Sequence, residues 1–157
     1  MAIRARRGRS RRLGMESLEG RALLNASIDI AADGSVVYRT DPAAAQSLLL
    51  TTSGGVYTFA VDPGGPAIDV TSNAAGLVVT GSGSNTVTVA GPSVGMRIEA
   101  ASAGQTIRVR STALPTVIVL QADSERVILG DDQSAGSGGL RALAAPITVS
   151  STSSTFT

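Results

Sequence analysis

Asn85, Gln105 and Glu125 stand at steps of twenty residues, each just ahead of a short β-branched run, and Asp123 precedes the last of them by two. Oxygen-bearing side chains recurring at turns are what a calcium ladder needs, because a hard cation is held by carboxylates together with backbone carbonyls. Only the third turn brings carboxylates, whereas Asn85 and Gln105 each offer a neutral carbonyl. The Gly81-Ser82-Gly83-Ser84 stretch beside Asn85 has the composition of a tight turn.

Other chemistries are excluded by composition. The chain has no Cys and no His, which removes thiol nucleophiles, imidazole acid/base pairs, disulfides and Cys/His zinc sites. All of its basic residues are Arg, so Schiff-base chemistry and a phosphate-binding lysine are absent too. Glu99, Asp123 and Glu125 are the acids of the strand-rich region. A glycosidase-type pair needs two carboxylates facing each other across a sugar ring. Twenty-residue stacking sets Val119 over Glu99, and Asp123 and Glu125 are too close in sequence to take opposite faces. No catalytic residue is assigned, and no cofactor is implied apart from the calcium alternative.

The elements that would position these residues begin near Leu77. Short β-branched runs recur at 77–80, 85–89, 96–100, 106–110, 116–120, 126–129 and 147–150, with turn residues between them. Val87, Ile107, Val127 and Ile147 fall in one column at steps of twenty, and Val89, Val109, Leu129 and Val149 in another. Val78, Ile98 and Ile118 form a further column, as do Thr80, Ala100, Leu120 and Leu140. Apolar residues repeating at a fixed period suit stacked units that cannot bury their faces alone. The expectation is an all-β fold, a short parallel β-solenoid with about two strands in each twenty-residue coil. The alternative is an antiparallel β-sandwich or meander, whose strands recur at similar spacing.

Ahead of the repeats, 27–30 with 35–40 and 48–52 with 56–61 read as two β-hairpins, joined across Ala32-Asp33-Gly34 and Ser53-Gly54-Gly55. Asp62-Pro63-Gly64-Gly65-Pro66 is a firm break. The reading is a basic segment over 1–26 with a short helix, a hairpin cap over 27–66, and repeats over 67–157 that look truncated at their C-terminal end. Aromatic residues make up 3% of the chain, so the core must be built from Val, Ile, Leu and Ala.

Charge is divided sharply along the chain. Residues 1–21 carry seven Arg against two Glu, a balance of +5, while the rest carries six Arg against ten acids, a balance of −4. A tail so charged and so poor in apolar residues is expected to be disordered on its own. No aromatic residue accompanies its Arg and the body is acidic, which argues against a nucleic-acid binder. No apolar run is long enough for a secretory signal core or a spanning helix.

Two stretches resemble known families. Leu18-Glu19-Gly20-Arg21-Ala22-Leu23-Leu24, after the Arg cluster, resembles the LEPR-XLL motif at the N-terminus of large exported planctomycete proteins. The match keeps Leu18, Glu19, Arg21, Leu23 and Leu24 and departs at Gly20, where the family has proline. Thr80 to Thr88 resembles the calcium-binding RTX nonapeptide, with Thr80 at its first glycine and Asn85 at its aspartate, and the resemblance implies Asn85, Asp123 and Glu125 as candidate metal ligands of a calcium site whose charge has mostly been lost. These resemblances imply a non-catalytic module with an extracellular or cell-surface destination. The partners they imply are export or sorting machinery and extracellular matrix or neighbouring β-repeats, with no membrane span.

Overall fold

A computed structural model describes residues 25–123, 125–130 and 145–151. The targeting residues Leu18, Glu19, Arg21, Leu23 and Leu24 lie outside them, as do residues 1–24 in general. Among the described residues the chain is all-β, with β1 (Ala26–Ile30), β2 (Val36–Arg39), β3 (Ser47–Ser53), β4 (Val56–Val61), β5 (Ile68–Asn73) and β6 (Val78–Thr80) in its first half. The second half supplies β7 (Thr86–Ala90), β8 (Met96–Ala100), β9 (Thr106–Val109), β10 (Thr116–Leu120), β11 (Arg126–Leu129) and β12 (Ile147–Ser151).

Alternation of apolar and polar residues explains why these segments are strands, because successive side chains point to opposite faces. In β1 the buried residues are Ala26, Ile28 and Ile30, and in β4 they are Tyr57, Phe59 and Val61. The strands form two six-stranded mixed sheets. One runs β12-β10-β8-β2-β1-β5 and the other β11-β9-β3-β4-β7-β6. Their inner faces share one core, crossed near its middle by Tyr38 of the first sheet stacked on Phe59 of the second, with ring centroids 5.8 Å apart.

Both expected hairpins are present. β1 pairs antiparallel with β2, and β3 with β4. The second turn is Gly54-Gly55, with φ of 58° and 77°, the left-handed pair that a two-residue hairpin turn requires. The hairpins stand inside the sheets instead of closing an end. β5 pairs with β1, and β7 followed by β6 continues outward from β4.

Parallel pairing dominates the other half of each sheet. β8 and β10 pair with Ile98 opposite Ile118 and Ala100 opposite Leu120, a step of twenty. β9 and β11 pair with Ile107 opposite Val127 and Val109 opposite Leu129, again twenty. Consecutive strands from β8 to β12 alternate between the two sheets.

The twenty-residue columns extend no further than these pairs. Val87 and Val89 face Phe59 and Tyr57 across an antiparallel pairing with β4, and Val78 and Thr80 face Ala90 and Thr88. Ile147 and Val149 lie opposite Thr116 and Ile118 in the other sheet, because additional chain intervenes between β11 and β12. The inner partners of the first repeat strands come from far back in the chain, with Val36 opposite Met96 and Ser47 opposite Thr106. The two sheets are thus neither wholly antiparallel nor wholly parallel.

Candidate functional site

Asn85, Gln105 and Glu125 head β7, β9 and β11, three strands of one sheet that run in the same direction. All three therefore stand at the same end of that sheet. β9 and β11 are neighbours, and Arg126 N donates to Gln105 O at 2.8 Å. Asn85 lies four strand steps from Glu125 in that sheet, roughly 19 Å at ~4.8 Å per step.

Two of these corners carry an amide that ties one turn to another. Asn85 Nδ2 donates to Gly65 O at 2.8 Å and to Pro66 O at 3.4 Å, in the turn between β4 and β5. Gln105 is fully buried, and its Nε2 donates to Asp41 O at 3.2 Å, Ala44 O at 3.5 Å and Ser102 Oγ at 2.6 Å. Asp41 and Ala44 belong to the turn before β3, the strand on which β9 lies. Each amide thus satisfies carbonyls of an adjoining turn, part-buried at Asn85 and including the buried Asp41 carbonyl at Gln105.

Glu125 occupies the third corner and cannot donate as a carboxylate. Its Oε2 accepts from Ala122 N at 3.3 Å, while its Oε1 is buried with no hydrogen-bond partner among the described residues. Burial pushes its carboxyl above the usual carboxylate range, and Asp123 adds to the rise; hydrogen bonds from the Ala122 and Gln121 backbone pull the other way. Asp123 lies in the same turn, so the structure brings together two of the three candidate ligands. Among the described residues, no group of three His, Cys, Asp or Glu side chains is assembled for a metal ion.

The Gly81-Ser84 stretch is engaged by its own fold. Ile68 N donates to Ser84 O at 2.8 Å, Gly83 N to Ile68 O at 2.8 Å, and Val70 N to Ser82 Oγ at 2.9 Å. At Gly81, φ is +82° and a Cβ would sit 2.1 Å from Thr86 O. Glycine there answers a steric demand of the turn.

Gln46 completes the corner and was not legible in the periodicity. It heads β3, is 7% exposed, and its Oε1 accepts from the Tyr38 hydroxyl at 3.3 Å. The chain between β3 and β9 hides it, since its counterpart Gln105 comes 59 residues later instead of twenty. A cleft of about 360 Å³ opens beside it, lined by Ala45, Gln46, Ser47, Gly104 and the 62–65 turn, with Asp62 its one ionisable side chain.

The remaining acid of the repeats, Glu99, faces outward from the other sheet. Arg97 Nε reaches Glu99 Oε1 at 2.6 Å and Arg39 Nε reaches Oε2 at 3.0 Å, while Arg39 also pairs with Asp29. These contacts join β1, β2 and β8 across the sheet surface. The hydrogen bond from Arg97 holds the Glu99 carboxyl below the usual range, helped by the charge of Arg39 and opposed by partial burial. The arrangement is a cross-strand ion-pair network, with both carboxylate oxygens of Glu99 engaged.

No protein-family model, curated protein or solved structure matches the chain. What the fold and corners define is an all-β protein of two mixed sheets whose polar side chains bind turn to turn. No helix among the described residues is long and apolar enough to cross a membrane.

Proposed function

We propose that this chain is a non-catalytic structural and adhesive β-repeat module, exported or held at the cell surface, with residues 1–26 as its sorting segment. Its parallel strands form a short β-solenoid of about twenty residues per coil. The observation that carries the reading is the twenty-residue register of β8 on β10 and of β9 on β11, with successive strands alternating between sheets. Repeats of this kind gain stability from neighbour contacts and present long regular faces. The carboxylates of the repeats serve the fold: Glu99 binds Arg39 and Arg97, and Glu125 binds its own turn.

Sorting rests on the Leu18-Glu19-Gly20-Arg21-Ala22-Leu23-Leu24 resemblance. The calcium reading draws less support, because Asn85 sits four strand steps from Glu125 and spends its amide on Gly65 and Pro66. The test fuses residues 1–30 to a reporter in a planctomycete host and fractionates the cells. Recovery at the surface or in the medium, lost on Leu23→Asp, is expected. Cytoplasmic retention of the unaltered fusion overturns the sorting assignment.

A further inference from the structure

Two peptide bonds of the chain join an aspartate to a proline, Asp41–Pro42 and Asp62–Pro63. In such a pair the aspartyl carboxyl can attack its own backbone carbonyl carbon through a small unstrained ring, and the proline nitrogen can leave as a secondary amine. A nucleophile tethered so close acts at very high effective concentration, and what surrounds the carbonyl decides how fast the bond breaks.

The fold treats the two bonds differently. Asp41 is buried between β2 and β3, and its carbonyl oxygen accepts from Gln105 Nε2 at 3.2 Å and from Ser102 Oγ at 3.3 Å. Ser102 Oγ also reaches Ala44 O at 3.1 Å, and Gln105 Nε2 reaches Ser102 Oγ at 2.6 Å, so the two side chains hold one another against this turn. Donors fixed at a carbonyl in a water-poor site stabilise the negative charge that develops on its oxygen under attack. The nucleophile is held as well. Asp41 Oδ1 accepts from Ala43 N at 2.7 Å, and the ring closed by that hydrogen bond contains the Asp41–Pro42 bond, which keeps the carboxyl beside the peptide unit it would attack. Asp62 has none of this. It is exposed, its carbonyl accepts from Gly65 N at 2.9 Å, and among the described residues no side chain donates to that oxygen.

We propose that the chain cleaves its own Asp41–Pro42 bond, with the Asp41 carboxyl as nucleophile and the Gln105 and Ser102 donors stabilising the carbonyl oxygen. Asp41 Oδ2 bonds to the Asp41 carbonyl carbon while the carbon–nitrogen bond to Pro42 breaks. The carboxyl proton passes to the Pro42 nitrogen, which departs as a secondary amine and leaves a cyclic anhydride on Asp41. One water then opens the anhydride, giving Asp41 a C-terminal carboxyl beside its side-chain one. Pro42 and Ala43 are exposed, so the new amine end can swing clear and admit that water. β1 and β2 stay in place after the break, because β5 and β8 flank them in the sheet. The product is one fold made of two chains, with residues 1–41 held without a covalent link. This single event within the chain is separate from its structural and sorting roles.

The test incubates the full chain for weeks at about pH 5, where an ordinary carboxyl carries its proton part of the time, both folded and in concentrated urea, and follows intact masses. Fragments 1–41 and 42–157 are expected to accumulate from the folded chain well ahead of any break at 62–63. Urea should remove the difference between the two bonds. Gln105→Leu should slow the break by about a hundredfold or more, the usual loss with one such donor. Ser102→Ala, at a half-buried position, should slow it in the same sense and serves where circular dichroism shows Gln105→Leu unfolded. Asp41→Asn, which keeps an acceptor for Ala43 N, should abolish it. Absence of the 1–41 fragment from the folded chain, equal rates at the two bonds while folded, or an undiminished rate at 41–42 in urea or in Asp41→Asn would each overturn the proposal.

Discussion

Truncating Ile98 to Ala should cost several times what truncating Val78 costs, although the two share a column in the twenty-residue register. Ile98 is fully buried and lies between Tyr38 on β2 and Ile118 on β10. Val78 is 69% exposed on β6. Ile98→Ala removes the equivalent of three methylenes, worth about 2.4 kcal/mol at ~0.8 kcal/mol each before any cavity is counted. Incomplete collapse around the hole raises this to about 3–4 kcal/mol, inside the ~2–5 kcal/mol range for such changes. With a urea dependence near 2 kcal/mol/M, the unfolding midpoint should fall by roughly 1.5–2 M. Val78→Ala should stay within about 0.5 kcal/mol. The assay is urea denaturation followed by far-ultraviolet circular dichroism, with Ile98→Val, expected at about 0.5–1.5 kcal/mol, as the milder change should the alanine variant not fold. Equal losses at the two positions would refute the packing argument, because only one of them is enclosed by neighbouring strands.

Two further outcomes follow from the ion pairs and the corners. Because Arg97 and Arg39 hold the Glu99 carboxyl below its ordinary value in the folded chain, its contribution is fully present above the unfolded carboxylate range. It is lost as pH falls through the depressed folded value, so the melting temperature of the unaltered chain should drop more steeply than that of Glu99→Gln between roughly pH 6 and pH 3; parallel curves would remove the network from the stability of the sheet. Thermal unfolding in calcium should match that in chelator, since a ligand held by the folded state alone must raise the transition; a saturable rise would restore Asp123 and Glu125 as ligands.

Much of the local structure was legible in the residues themselves. Period-two alternation marked the strands, and Gly54-Gly55 marked a hairpin whose backbone angles require glycine. Twenty-residue spacing located the β8–β10 and β9–β11 registers because those pairs are consecutive in their sheets. The same spacing misled at Val87, since β3 and β4 stand between β7 and β9. Hydrophobic periodicity records which side of a strand is buried and says nothing about which strand lies beside it. The pairing of β2 with β8 across 60 residues and of β3 with β9 across 59 left no local trace. Among the corner residues, Gln105 and Glu125 were found by register, while Gln46 became visible only once β9 lay on β3.

That long-range pairing also governs when the sheets can form. Residues 36–39 of β2 leave the ribosome 60 positions ahead of their β8 partners, an interval of roughly 3–12 s at about 5–20 residues per second. Throughout it the inner edge of β2 has one antiparallel neighbour, β1, and an open ladder on its other side. Strand pairing at such separation is intrinsically slow, and an open edge is a template for a second nascent chain. β3 to β7 fill the interval, and β5 pairs with β1 while β4, β7 and β6 follow one another outward from β3. Within the segment that obscured the repeat, β4 to β7 therefore have all their strand partners among β1 to β7 and need none of β8 to β12.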